Sequence, residues 1–126
     1  LVLPAGPILV ADQLPQANPM RATGLDYTQK YVAQYGKGSV SGFGGHMSDA
    51  GALVAAAIPK ALAGGAKPGT EGFRQALRDA LENTKDVVGV HGVFNMSAKD
   101  HSGLDERARV LLRVKNGQWE FAQDLN

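Results

Sequence analysis

Apolar residues are densest between Ser39 and Leu62, SVSGFGGHMSDAGALVAAAIPKAL. This stretch reads as a short apolar strand that breaks into glycines and resumes as a helix, the order of an α/β unit. Gly42, Gly44 and Gly45 surround Phe43, so the backbone there can take positive φ or come close to another group, and Phe43 is displayed at the strand end. Ser48 or Asp49 is expected to cap the helix. From Ala50 to Ile58 no wet face remains, so burial on nearly every side is expected. Pro59 is expected to kink or end the helix. An apolar run of about 14 residues is too short for a bilayer, which needs about 20.

Two amphipathic helices flank this stretch. Asn18 followed by Pro19 marks a helix start. Leu25, Thr28, Val32 and Tyr35, with Tyr31 beside them, repeat at helical spacing against Asp26, Gln29, Lys30 and Gln34, and Gly36 supplies the C-terminal stop. Thr70 is the expected N-cap of a third helix reaching about Asn83. Its apolar stripe is Phe73, Ala76, Leu77, Ala80 and Leu81, opposite a solvated face of Glu71, Arg74, Arg78 and Glu82 spaced to pair with one another.

Strand signals are short: Leu1 to Leu3, Ile8 to Ala11 and Val87 to Val90. Pro4, Pro7, Pro15 and Pro19 make the first 19 residues a connecting ribbon. A glycine-rich excursion holding His91 and His101 precedes two final strands joined by Asn116-Gly117, a strong hairpin signal. Trp119 and Phe121 share one face of the last strand, which is expected to be packed.

Length changes this picture. The chain has 126 residues and 44% hydrophobic composition, ordinary for one soluble domain, yet this much sheet cannot cover an all-apolar helix and two amphipathic ones. A fragment is expected, because Leu1 is not a start methionine and the chain opens inside a strand-like run. The net charge of +1, from 13 basic and 12 acidic residues without long runs, argues against a nucleic-acid partner. With no cysteine, the chain can hold neither a disulfide nor a thiolate metal site.

Candidate chemistry is sparse. His46 and Asp49, at i and i+3, could orient one another as a general base pair, against the ordinary alternative of a hydrogen-bonded histidine at a helix start. The GFGG run could present amides to a phosphate but lacks the spacing of a phosphate-binding loop. Asp100, His101, Asp105 and Glu106 lack the alternating oxygens and central glycine of a calcium loop and read as a solvated turn. No serine, histidine and acid arrangement has motif support.

Three segments together carry a resemblance: LPAGPILVADQLP, YGKGSVSGFGGHMSDAGALV, and PGTEGFRQALRDALENTKDVVGVHGVFNMSAKDHSGLDERARVLLRVKNGQWEF. The helix ending in YG, the aromatic ahead of an Asp-Ala helix, the FRxALRxALE helix, the GxxGxFxxSxxDHxGL excursion and the NGxW hairpin occur in order over nearly the whole chain. In these features the sequence resembles the C-terminal part of an ABC-transporter substrate-binding protein of the branched-chain amino-acid (Leu/Ile/Val) binding family, with the type I periplasmic binding protein fold.

The resemblance implies a partial α/β fold with three main helices, short strands and a C-terminal β-hairpin, taken from a parent whose two lobes close on ligand. Residues 1–18 would be a strand and an inter-lobe crossing, 19–86 the helices of one lobe, and 87–126 the return crossing and closing hairpin. Phe43 matches an aromatic lining the side-chain pocket, with Gly44, Gly45 and His46 beside it as further ligand-binding candidates. The groups that grip the α-carboxylate and α-amino ends would lie outside this piece. His46, and Met47-Ser48 where Gly-Tyr is usual, depart from commoner members and leave the ligand open between a small amino acid and a related small or aromatic carboxylate. The implied protein is periplasmic and not an enzyme, with no cofactor, and its partners are a small-molecule ligand and ABC permease subunits. A sensor domain of the same fold is the alternative. Uncovered apolar surface would lead the isolated piece to self-associate.

Overall fold

The ribbon from Pro7 to Leu14 separates two small cores in the computed structural model, which describes residues 1–125. Val10 and Leu14 join Val110 and Leu112 in one buried cluster, while Ile8 and Ala11 join Val90 in the other, with Leu9 packed against both. The ribbon can serve both sides because Pro7–Val10 is a 3-10 turn, not the strand expected over Ile8 to Ala11. Pro7 opens the turn, where its missing amide costs nothing, and successive apolar side chains leave the turn in different directions.

On one side lies a three-stranded antiparallel sheet ordered β1-β4-β5: β1 (Val2–Ala5), β4 (Val110–Lys115) and β5 (Gln118–Phe121). Val2 pairs with Arg113 and Leu112 with Phe121. Pro4 is tolerated because β1 is an edge strand. Asn116 and Gly117 take φ of 51° and 74°, the left-handed pair that a two-residue hairpin requires. Phe121 packs on the core as expected, whereas Trp119 stays 42% exposed. The Gln13 side chain occupies the other edge of β5, donating to the Trp119 carbonyl (3.0 Å) and accepting from the Phe121 amide (2.8 Å).

On the other side stand α1 (Met20–Tyr35), α2 (Gly42–Ala63), α3 (Glu71–Glu82) and a minimal hairpin of β2 (Val87–Val88) with β3 (Val93–Phe94), shorter than the strand expected to Val90. Asn18 caps α1, its Oδ1 accepting from the Met20 amide at 3.0 Å, and Gly36 ends it with φ of 90°. The buried residues of α1 are Met20 and Gly24, while Leu25 and Tyr35 of the expected stripe are exposed. The Arg21 guanidinium donates to the carbonyls of Ala11, Asp12 and Leu14, tying the ribbon to α1.

Thr70 caps α3 through the Phe73 amide, and its apolar stripe packs along α2. On its polar face Arg78 pairs with Asp79, and Glu82 with His101, in place of the expected i+3 and i+4 pairs.

α2 departs most from expectation. It runs through Pro59 to Ala63, because Ala55 and Pro59 are both exposed and water can satisfy the carbonyl the proline leaves unbonded. Gly45, Asp49, Ala57 and Ala61 form its buried edge. Burial on every side does not occur: Met47 is 75% exposed, and Val54, Ile58 and Leu62 are also exposed. No helix among the described residues is long and apolar enough to cross a membrane.

Two helical glycines separate packing from propensity. A Cβ on Gly24 would lie 2.8 Å from the Ala11 Cβ, an atom fixed to the ribbon backbone, whereas one on Gly51 would meet nothing within 4 Å. Urea unfolding should show Gly51→Ala stabilising by about 0.5–1 kcal/mol. Gly24→Ala should destabilise by about 1–3 kcal/mol despite the better helix former, and equal gains at both positions would contradict this packing.

Candidate functional site

The head of α2 gathers the chemistry that the sequence scattered. Ser41, in extended conformation, caps the helix, its Oγ accepting from the Gly44 amide at 3.1 Å. The cap therefore falls seven residues before Ser48 and eight before Asp49, the expected caps, and residues 39–41 form no strand. Phe43 accordingly projects from the first helical turn and not from a strand end, with 90% of its surface exposed.

Gly42, Gly44 and Gly45 are helical, so positive φ is not their use. Close approach is the use of two of them. A Cβ on Gly44 would come 2.6 Å from the Tyr27 hydroxyl, and one on Gly45 would come 2.5 Å from Cε1 of His91. The Tyr27 hydroxyl is buried with no hydrogen-bond partner among the described residues. Burial raises its pKa, assisted by Tyr31 and by the negative charge of Asp49.

Asp49, the one carboxylate in α2, is buried at 2% exposure. It accepts from the amides of Val90 (2.6 Å) and His91 (3.0 Å), and its Oδ2 lies 3.3 Å from His91 Nδ1. Since that oxygen accepts, Nδ1 carries the proton that points toward it. Gly89 permits the approach, because a Cβ there would collide with the Asp49 carboxylate. The expected His46–Asp49 pair is thus not the pairing made: Asp49 turns to His91.

His91 is buried at 1% exposure, and the missing side chain of Gly6 leaves room for the ring's Cδ2 edge. His46 stacks flat upon it, with ring centroids 3.7 Å apart and an interplanar angle of 5°. Its outer face remains open to solvent on the same end of α2 as Phe43. Burial against the stack lowers the His46 pKa below the ordinary imidazole value, and the neighbouring His91 charge lowers it further while Asp49 opposes both.

Elsewhere, Asp100 accepts from the amides of Ser102 and Gly103, and Asp105 pairs with Arg107. No cluster of three histidine or carboxylate residues able to hold a metal ion occurs among the described residues.

The residues that sequence reasoning missed were Asp49 as an anchor, His91 as its partner and Tyr27 as the group facing Gly44. A lone carboxylate in an alanine-rich helix and a histidine set between Gly89 and Gly92 were the available signals.

No protein-family model and no curated protein matches the chain. Solved structures do. Rp1789 of Rhodopseudomonas palustris (strain CGA009) matches with a TM-score of 0.90 and 35% identity, over 98% of this chain and 34% of that one. An extracellular ligand-binding receptor from Rhodopseudomonas palustris HaA2 matches with a TM-score of 0.90 and 36% identity over the same shares, 98% and 34%. A further receptor from strain HaA2 has a TM-score of 0.80 at 34% identity, over 95% of this chain and 33% of that one. The chain has the α/β fold of part of an extracellular ligand-binding receptor, and it spans about a third of the length of the structures it matches.

Removing the Asp49 carboxylate leaves two buried amides and an imidazole N–H without an acceptor. Asp49→Ala should cost about 3–5 kcal/mol in urea unfolding, and Asp49→Asn, which keeps one acceptor oxygen, should cost less. A loss within about 0.5 kcal/mol, the level of an ordinary surface change, would show that the carboxylate anchors nothing.

Proposed function

We propose that this chain is the C-terminal part of the solute-binding component of an ABC transporter, exported to the periplasm. The whole protein captures a small amino acid of branched-chain type, or a related small or aromatic carboxylate, between two lobes and delivers it to permease subunits. Residues 1–18 serve as one crossing between lobes, 19–86 as helices of one lobe, and 87–126 as the return crossing and closing hairpin. The observation that carries this proposal is the likeness to extracellular ligand-binding receptors across 98% of the chain at a TM-score of 0.90.

The head of α2 supports a ligand-facing role. Phe43 supplies an apolar wall, Gly44 and Gly45 seat it against Tyr27 and His91, and His46 adds a polar edge beside it. Phe43 and Met47, one turn apart on α2 and 90% and 75% exposed, make the kind of adjoining apolar surface a binding partner covers. Binding by such a site requires no chemistry on the ligand, consistent with a non-enzymatic role.

In the full-length protein, Phe43→Ala should weaken ligand binding about ten- to a hundredfold, the worth of about 1.5–3 kcal/mol of apolar burial. The thermal midpoint without ligand should hardly move. Calorimetric titration beside a melting curve decides this, and unchanged affinity would remove Phe43 from the site.

The 126-residue chain alone should not bind ligand as a monomer with the parent's affinity, and the exposed Met47, Val54, Ile58 and Leu62 should drive self-association. A stable monomer in sedimentation that binds ligand with the parent's affinity would contradict both statements.

A further inference from the structure

We propose that the stacked His46 and His91 rings over Asp49 form a proton-operated latch joining the head of α2 to the β2–β3 hairpin, closed near neutral pH and loosened by acid. This goes beyond the transport role and does not depend on which ligand is bound.

The geometry allows one positive charge in the stack and resists two. His91 is buried, with Nδ1 directed at Asp49, so a charge on that ring has a counterion 3.3 Å away. His46 has no hydrogen-bonded acceptor among the described residues, and its ring centroid lies 3.7 Å from that of His91. A second proton therefore places two cations face to face, one of them without a counterion in contact and the other buried from water.

The other titratable groups around the stack do not relieve this. From α1, Tyr27 and Tyr31 turn their hydroxyls toward Gly44 and bring no carboxylate to the stack. From the first ribbon Gly6 faces His91, and residues 1–11 carry no titratable side chain. Asp49 is the single carboxylate present, and its oxygens are committed to the Val90 and His91 amides and the His91 ring.

The sign follows from the direction of the His46 shift. The unfolded chain takes a proton on His46 near the ordinary imidazole pKa of about 6.5, while the folded chain refuses it until lower pH. The stack's contribution is therefore complete above that value and falls as the pH drops through it toward the lower folded-state value. Opening the stack leaves the head of α2, which carries Phe43, held to the hairpin through Asp49 and the surrounding apolar contacts alone.

Two measurements on the full-length protein test the latch. Deuterium exchange at the imidazole C2 position, read by mass spectrometry across pH, should place His46 titration in the folded chain below that in the same chain unfolded in urea. This readout needs no variant, and an unchanged profile at two protein concentrations separates the stack from self-association. Urea unfolding midpoints should fall between about pH 7.5 and about pH 5 in the native chain, a span bracketing the imidazole value. They should fall markedly less in His46→Phe, which keeps a flat ring on His91 but takes no proton. An equal fall in both chains, or His46 titrating at its unfolded value, would overturn the proposal. If His46→Phe does not fold, the exchange profile of the native chain alone decides.

Discussion

One buried carboxylate sets the geometry of the helical half of this chain. Asp49 sits, 2% exposed, in a helix composed mainly of alanine, glycine and aliphatic residues, a place where an ionised group is costly unless fully bonded. Its bonds come from a stretch 41 and 42 residues further on, where Val90 and His91 offer two successive amides. Neither partner tolerates displacement, since a carboxylate without donors and amides without an acceptor are both expensive. The pair thus ties α2 to the hairpin more specifically than aliphatic packing could, and Gly45, Gly89 and Gly6 are bare because the groups they admit, His91 and Asp49, must come that close.

The ribbon between the two cores obeys the same logic with different groups. Its backbone polar groups run between layers and need partners, and two long side chains supply many of them: Arg21 takes three carbonyls from the α1 side, while Gln13, a ribbon residue, reaches across to β5. Ribbon, sheet and α1 are bound by side chains reaching backbone, which leaves the connection narrow but directional. Such a strip keeps its register against both cores, a requirement on a crossing between lobes in the role proposed for it.

Much of this was readable in the sequence wherever local chemistry decides. The Asn116-Gly117 turn, the Thr70 and Asn18 caps, the Gly36 stop and the stripe of α3 each depend on residues within one turn of each other. The α/β class and the partial receptor fold followed from motifs spread along the chain, and the solved structures agree. Apart from the Ser41 cap and the passage of α2 through Pro59, which are local, the failures share a cause: a partner distant in sequence. Asp49 resembles a cap until Val90 is brought beside it, and Ser41 is overlooked because the glycines after it look like a turn. Ile8 to Ala11 has a strand's composition, but its alternate residues serve two cores. Nothing local marks His46 as the ring that stacks on His91.

The exposure of Phe43 gains meaning from how firmly its backbone is held. Ser41 caps the turn, Tyr27 closes on Gly44 and His91 closes on Gly45, so the backbone just after the ring is held by three contacts while the ring itself is 90% exposed. An exposed side chain on a loose loop loses backbone freedom when it binds, and that entropy offsets part of the contact energy. Here that freedom is already absent, so a ligand covering the ring, as proposed, would convert apolar area to affinity with less loss. The same rigidity makes Phe43 sensitive to whatever moves the head of α2, and the group nearest to doing so is the imidazole pair beneath it. In the roles proposed for them, binding surface and proton-sensitive contact share the same two turns of helix, so a change in one would reach the other through a backbone with little slack.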